Sequence, residues 1–363
     1  MRFTWVLSVL LAGCFAPHIK PGQYKCDQTN LCPEGFDCIE GACYPPGTVV
    51  STLFTGTLGD LNLAGMSGTL KLDASGSIVL GDTTIVPAGT MGWSSVPQSG
   101  GPTASLWRFA NIVIPAQVDV VPSSASSTAT TAFVLAASGT VEIDGNLNWS
   151  GRGPFGGRPS MDGQSDVPGV LGAGHGAPAT TSGSGGGGAG YALAGSAGAG
   201  TEGGAPGGQY GAETVSPLHL GAGGGGGGGF ATSGAQGGVG GNGGGAIAIF
   251  SQVSISLTST IDVSGSTGQP GQSGSSAPAG GGGGGSGGSI LLSAPSVTLA
   301  AGHALNASGG DGGPPAQSGG KGGAASVGRV WIGTNTLTTP GGAPNSMPAA
   351  VVSMGSLVQD FPR

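Results

Sequence analysis

Glycine crowds this chain, and that removes most of the folds open to a chain of its length. It supplies 82 of 363 residues, about three times its usual share of ~7%. Between Gly183 and Gly245 it supplies 30 of 63 residues. A residue without a side chain adds nothing to an apolar core, and it loses more backbone freedom on ordering than any other. That segment holds eight larger apolar residues, Tyr191, Leu193, Tyr210, Val215, Leu218, Leu220, Phe230 and Val239. They bury too little to order it alone. It is therefore either a mobile loop or a set of extended, polyproline-II-like strands laid against a scaffold. The strict every-third glycine of collagen is absent. Charged residues are 7% and the net charge is only −7, unlike a charge-expanded disordered chain. Ten Lys and Arg spread thinly leave no electrostatic footprint for nucleic acid.

The scaffold is legible as short β-type runs. Ser67 to Asp73, Ile112 to Pro115 and Val118 to Val121 alternate apolar with small or polar residues, or are bounded by Pro and Gly. A longer repeat follows. Phe133-Val134-Leu135 leads to Val141 through Gly151, Ile247 to Phe250 leads to Val253 through Gly265, and Ile290-Leu291-Leu292 leads to Val297 through Gly309. The last two copies are 44 residues apart from Val253 to Val297 and from Gly265 to Gly309, and Arg329 to Ile332 opens a truncated fourth. Each copy reads as three short strands, a Ser-Gly turn and a Gly-rich insertion. No such unit buries its apolar face alone, so stacking must build the core. The fold class expected is all-β, a β-solenoid with long Gly-rich insertions. The run Gly287 to Gly313 and its two partial copies resemble Gly-rich, hemagglutinin-like β-helix proteins of bacterial surfaces, and also PGRS-type glycine-rich arrays. That resemblance implies a structural or adhesive surface role, with cell-surface polysaccharide or other surface proteins as partners. A β-sandwich with long loops and a phage-tail-like polyglycine adhesin are the alternative architectures.

The first fourteen residues carry an address. Arg2, the apolar run Phe3 to Leu11 and the small pair Ala12-Gly13 make a secretory signal, too short to span a bilayer. Leu11-Ala12-Gly13-Cys14 resembles the lipobox of bacterial lipoproteins. The resemblance implies cleavage before Cys14, lipidation of Cys14 and anchoring by acyl chains, and Phe15 after it implies the outer membrane or cell surface. Cys26, Cys32, Cys38 and Cys43 follow within eighteen residues. In an exported chain they read as two disulfides with three possible pairings, and Cys32 to Cys43 resembles small EGF-like modules. The organisation expected is a signal peptide over 1–13, a tether and Cys-rich module over 14–47, a β-strand region over 48–132, the repeats over 133–333 and a tail over 334–363.

Catalytic and metal motifs are weak. Gly284-Gly285-Ser286-Gly287-Gly288 fits G-x-S-x-G only because every variable position is also glycine. His18, His175, His219 and His303 lack metal spacing. Gly309 to Gly313 partly matches a calcium β-roll element, but tandem nonapeptides are missing, and Asp311 reads as a turn cap. Glu142 and Asp144 lie two apart, as one face of a strand requires, yet their counterparts by the 44-residue spacing are Ser254 and Ser256, then Thr298 and Ala300. The sequence therefore predicts no catalytic residue, no metal site and no cofactor. A carbohydrate-binding or polysaccharide-degrading β-helix protein is the alternative function.

Overall fold

The computed structural model describes residues 37–39, 42–44, 58–98, 100–123, 131–158, 176–180, 183–213, 215, 217–230, 233–274, 277–339 and 344–354. The chain divides into two compact units, Met1–Thr52 and Leu53–Arg363. In the first unit β1 (Asp37–Ile39) and β2 (Ala42–Tyr44) form an antiparallel hairpin in which Cys38 stands opposite Cys43. Cys14, Cys26 and Cys32 lie outside the described residues.

The second unit is all-β, with no α-helix among the described residues. It opens with β3 (Leu61–Asn62), β4 (Gly68–Leu72), β5 (Ile78–Leu80), β6 (Thr83–Val86) and β7 (Trp93–Val96), of which β5, β6 and β7 pair antiparallel. Copies of three strands follow: β8 (Thr103–Phe109), β9 (Ile112–Ile114) and β10 (Val118–Pro122); β11 (Thr131–Ala137), β12 (Thr140–Ile143) and β13 (Leu147–Asn148); β14 (Ala246–Ser251), β15 (Ser254–Leu257) and β16 (Thr260–Asp262). In the next copy the first two strands fuse into β17 (Ser289–Leu299), followed by β18 (Ala304–Asn306). Then come β19 (Arg329–Thr338), β20 (Ser346–Met347) and β21 (Val351–Met354). Each strand of a copy pairs in parallel with its counterpart in the next. The mostly parallel sheets curl around one core. Phe133, Ile247 and Ile290 enter it from the first strands, Val141, Ile255 and Val297 from the second, and Leu147, Ile261 and Leu305 from the third.

The uniform 44-residue spacing is corrected by the register. Ile247 stands opposite Ile290, Ile255 opposite Val297 and Ile261 opposite Leu305, offsets of 43, 42 and 44 residues. The corner between the first two strands is one residue longer in the third copy. There Ser251 Oγ accepts from Val253 N and Ser254 N at 3.0 and 2.9 Å. Val253, matched to the core residue Val297 by the 44-residue spacing, is thereby turned out and is 50% exposed, and Ile255 takes the inward place.

The glycine-rich segments are ordered, and they form a lattice. Residues 280–288 donate their N–H groups in a rotation of three. Gly280, Gly283 and Ser286 donate to the carbonyls of Gly228, Gly225 and Ala222; Gly281, Gly284 and Gly287 to Gly320, Gly323 and Ser326; Gly282, Gly285 and Gly288 to Gln269, Ser266 and Val263. That rotation identifies the extended helix with three residues per turn, which makes no internal hydrogen bonds and so offers every backbone group to a neighbour. The carbonyls of the same strand accept from three more segments, through Gly186 and Ala189, through Gly238, Gly241 and Gly244, and through Gly310 and Gly313. Six neighbours surround it, and Ser286 alone of its nine residues carries a side chain. A Cβ on Gly282, Gly283, Gly284 or Gly285 would come closer than 3.0 Å to a backbone carbonyl of Val239, Gly187, Gly310 or Asn242 respectively.

Strands at the lattice margin show the converse. In 263–271, Gly265, Gly268 and Gly271 face carbonyls of 279–286, while Ser264, Thr267 and Pro270 occupy the alternate third and the last two are exposed. The lattice prolongs the sheets, because 237–245 runs into β14, 280–288 into β17 and 320–328 into β19. It is the packed alternative of the two conformations open to the insertion, and main-chain hydrogen bonds replace the side-chain burial the insertion lacks. Its last apolar residues are used at the junction. Val215, Leu218 and Leu220 cover Leu106, Val134, Phe250, Leu291 and Trp331 on the outer side of the first strands.

Candidate functional site

The outward positions of the third strands gather polar side chains in rows. Leu70, Val120, Leu147, Ile261 and Leu305 are in register and point inward. Side chains alternate along a strand, so the residues flanking them face out: Thr69, Asp119, Asn146, Thr260 and Ala304 on one side, Lys71, Val121, Asn148, Asp262 and Asn306 on the other. Neighbouring strands bring members of a row to about 4.8 Å spacing. Between them lies an open groove of about 390 Å³ lined by Thr69, Asp119, Val121, Asn146, Leu147, Asn148, Thr260 and Asp262.

Local hydrogen bonds fix these side chains at one atom each. Asn146 Nδ2 donates to Asp119 Oδ1 at 3.2 Å. Asp262 Oδ1 accepts from Ser264 N at 2.9 Å and from Asn306 Nδ2 at 3.1 Å. Asn148 Oδ1 accepts from Ser150 N at 3.0 Å. Asp119 Oδ2, Asp262 Oδ2 and Asn148 Nδ2 take no partner among the described residues, so the groove presents two acceptors and a double donor on a rigid sheet. The second strands carry a plainer array, with Thr140, Ser254, Ser296 and Thr336 in one row and Glu142, Ser256, Thr298 and Thr338 in the other.

A second cluster lies where the lattice meets the first strands. Tyr191, Tyr210 and His219 pack ring against ring with centroids 4.6 to 6.4 Å apart, and the Arg329 guanidinium lies 5.3 Å from the Tyr191 ring centre. Tyr191 Oη and Ser289 Oγ are 2.6 Å apart, and Ser289 Oγ donates to His219 O. Tyr210 Oη donates to Leu220 O, and Arg329 Nη2 donates to Tyr210 O and Gly211 O. Burial pushes the Tyr191 phenol up to about 12 and raises Tyr210 further, while burial and then Arg329 lower the His219 imidazole. The tyrosines are held neutral and His219 is biased the same way. Arg329 has its charge offset by two carbonyls and a π face. The cluster fastens Tyr210, Gly211 and His219 to the sheet.

The other singled-out residues have structural surroundings. Ser286 is fully buried in the lattice, where its Oγ accepts from Ala222 N at 2.8 Å. Asp311 is exposed in a marginal lattice strand and its carbonyl accepts from Gly268 N. His303 is buried in a turn, with Nδ1 2.6 Å from Ala300 O and Nε2 accepting from Asn345 N. Glu142 is exposed, and Asp144 accepts from Thr258 Oγ1 at 2.7 Å. The register gives Glu142 the counterparts Ser256 and Thr298, so acid does not recur along that row. His18 and His175 lie outside the described residues. Among the described residues no three His, Cys, Asp or Glu side chains come together as a metal site would need. The groove residues were missed, although a signal exists: Asn146-Leu147-Asn148, Thr260-Ile261-Asp262 and Ala304-Leu305-Asn306 place an apolar residue between outward-facing ones in successive copies.

Comparison with known proteins gives no match to a family model, to a curated protein or to a solved structure.

Proposed function

We propose that this chain is a lipid-anchored protein of the bacterial outer membrane or cell surface, in which a β-solenoid and its polyglycine lattice serve a structural or adhesive role without catalysis. The observation that carries the reading is the six-fold surrounded strand 280–288. A lattice of this kind gives flat, weakly charged faces and stiffness from main-chain hydrogen bonds alone, which suits a projecting platform. Parallel pairing of successive three-strand copies around one core supports the solenoid reading. The address rests on Leu11-Ala12-Gly13-Cys14, the expected lipid attachment at Cys14, and a two-disulfide Cys-rich module built from Cys26, Cys32, Cys38 and Cys43 would join anchor to platform. Surface proteins or polysaccharide would be the partners.

Two measurements test this. Mass spectrometry of the mature amino terminus should find an acylated Cys14, and an unmodified peptide beginning downstream of it would reject the anchor. Labelling intact cells with a membrane-impermeant reagent or antibody should reach the platform, and protection until the cells are lysed would reject the surface role.

A further inference from the structure

We infer that the groove over β4, β10, β13 and β16 is a binding site for a neutral oligosaccharide lying across the strands. This deepens the adhesive reading above and rests on it for biological meaning. The groove has the volume of a small-ligand site. Its polar atoms are fixed in advance. Asp119 is anchored through Oδ1 by Asn146, Asp262 through Oδ1 by Ser264 and Asn306, and Asn148 through Oδ1 by Ser150. Each anchored group leaves its second polar atom without a partner among the described residues, and holding these groups beforehand lowers the ordering cost of binding. Two carboxylate oxygens accept from hydroxyls, and the amide of Asn148 donates to a ring or hydroxyl oxygen.

Four strands at about 4.8 Å spacing present this pattern over about 14 Å, the reach of a short extended sugar chain. Val121, half-buried and facing outward, supplies the apolar side chain against which a sugar ring can lie. An anionic ligand is disfavoured, because two carboxylates line the groove and its one flanking cation, Lys71, stands at the edge opposite Val121. A divalent cation is the competing occupant, but Asp119 and Asp262 are the only carboxylates lining the groove, and among the described residues no three His, Cys, Asp or Glu side chains come together.

The test is titration of the purified full-length chain with cellohexaose, chitohexaose and maltohexaose, read by calorimetry and by backbone amide shifts. Wild-type protein should bind at least one of them, with shifts centred on Asn146, Asn148 and Thr260. The D119A/D262A double variant and Asn148→Ala should each weaken binding at least tenfold, whereas Glu142→Gln on the neighbouring strands should stay within twofold. Circular dichroism should show the variants folded. If a groove variant unfolds, saturation-transfer contacts on the wild-type chain decide instead, and contacts away from the groove would overturn the assignment. Failure of all three sugars to bind the folded chain would overturn it. So would calcium binding that disappears in the same variants without any response to sugar. The titration uses purified protein, so its failure is distinct from failure of the surface reading, which the cell-labelling experiment tests.

Discussion

Replacing Gly283 by alanine adds one methyl group at the centre of the lattice. The φ of Gly283 lies outside the left-handed region, so alanine can adopt the backbone and the cost is one of space. The new Cβ falls against the carbonyl of Gly187, closer than 3.0 Å, and that carbonyl accepts the N–H of Gly225, whose own carbonyl accepts from Gly283. Relief requires moving strand 185–189 away from 222–228. Over-packing of this kind costs about 1–3 kcal/mol. A buried N–H left without its acceptor costs about 1–3 kcal/mol more. Alanine returns about 0.4–1 kcal/mol by restricting the unfolded chain. The net loss is about 1–6 kcal/mol, a large part of the ~5–15 kcal/mol that holds a typical fold together. Thr267→Ala is the control, at an exposed outward position of the same lattice, and should stay within about 0.5 kcal/mol. Urea unfolding measures both, the loss appearing as a lower midpoint. A Gly283→Ala variant as stable as wild type would refute the lattice argument.

Val297→Asp should destabilise the chain by several kcal/mol, because an unpaired charge would enter the core at a fully buried position; Val253→Asp should be nearly neutral, since Val253 is half exposed, and thermal unfolding of the pair tests the corrected register. Tyr191 keeps its proton in the fold up to about 12, while the unfolded phenol loses it near 10. Tyr191 alone should therefore lower stability by about 3 kcal/mol as pH rises from about 10 to 12, and Tyr191→Phe should make that alkaline limb shallower in unfolding curves taken across the range, leaving the part contributed by the further raised Tyr210. Thiol counting on the unreduced, denatured protein should find none free among Cys26, Cys32, Cys38 and Cys43, and two or more reactive thiols would remove the disulfides from the account.

The strand copies were legible because parallel-paired strands repeat inward apolar residues in register, as in Val141, Ile255 and Val297. The register was less so. A 44-residue spacing holds between Ile261 and Leu305 but shifts by two residues between Ile255 and Val297, because corner lengths differ and a turn residue such as Val253 reads like a strand residue. The lattice was legible only as a choice between two conformations. Runs such as Gly223 to Gly229 carry no side chain to mark which third of the positions faces which neighbour. The six neighbours of 280–288 also come from segments between residues 186 and 326, and no local pattern announces them. Marginal strands do carry the mark, as glycine at 265, 268 and 271 with Ser264, Thr267 and Pro270 between. The groove escaped notice because Asp119, Asn148 and Asp262 are ordinary exposed polar residues until parallel pairing sets them side by side.

The central claim is that the glycine-rich segments are a hydrogen-bonded lattice continuous with the parallel sheets. Native-state hydrogen exchange of the amides of Gly280 to Gly288 tests it most directly. Each of those amides donates to a carbonyl of another segment, so the run should exchange as slowly as the buried strand β14, through global opening only. Exchange of the whole run at the rate of an unprotected chain, while β14 stays protected, would contradict the lattice and leave the insertions as loops.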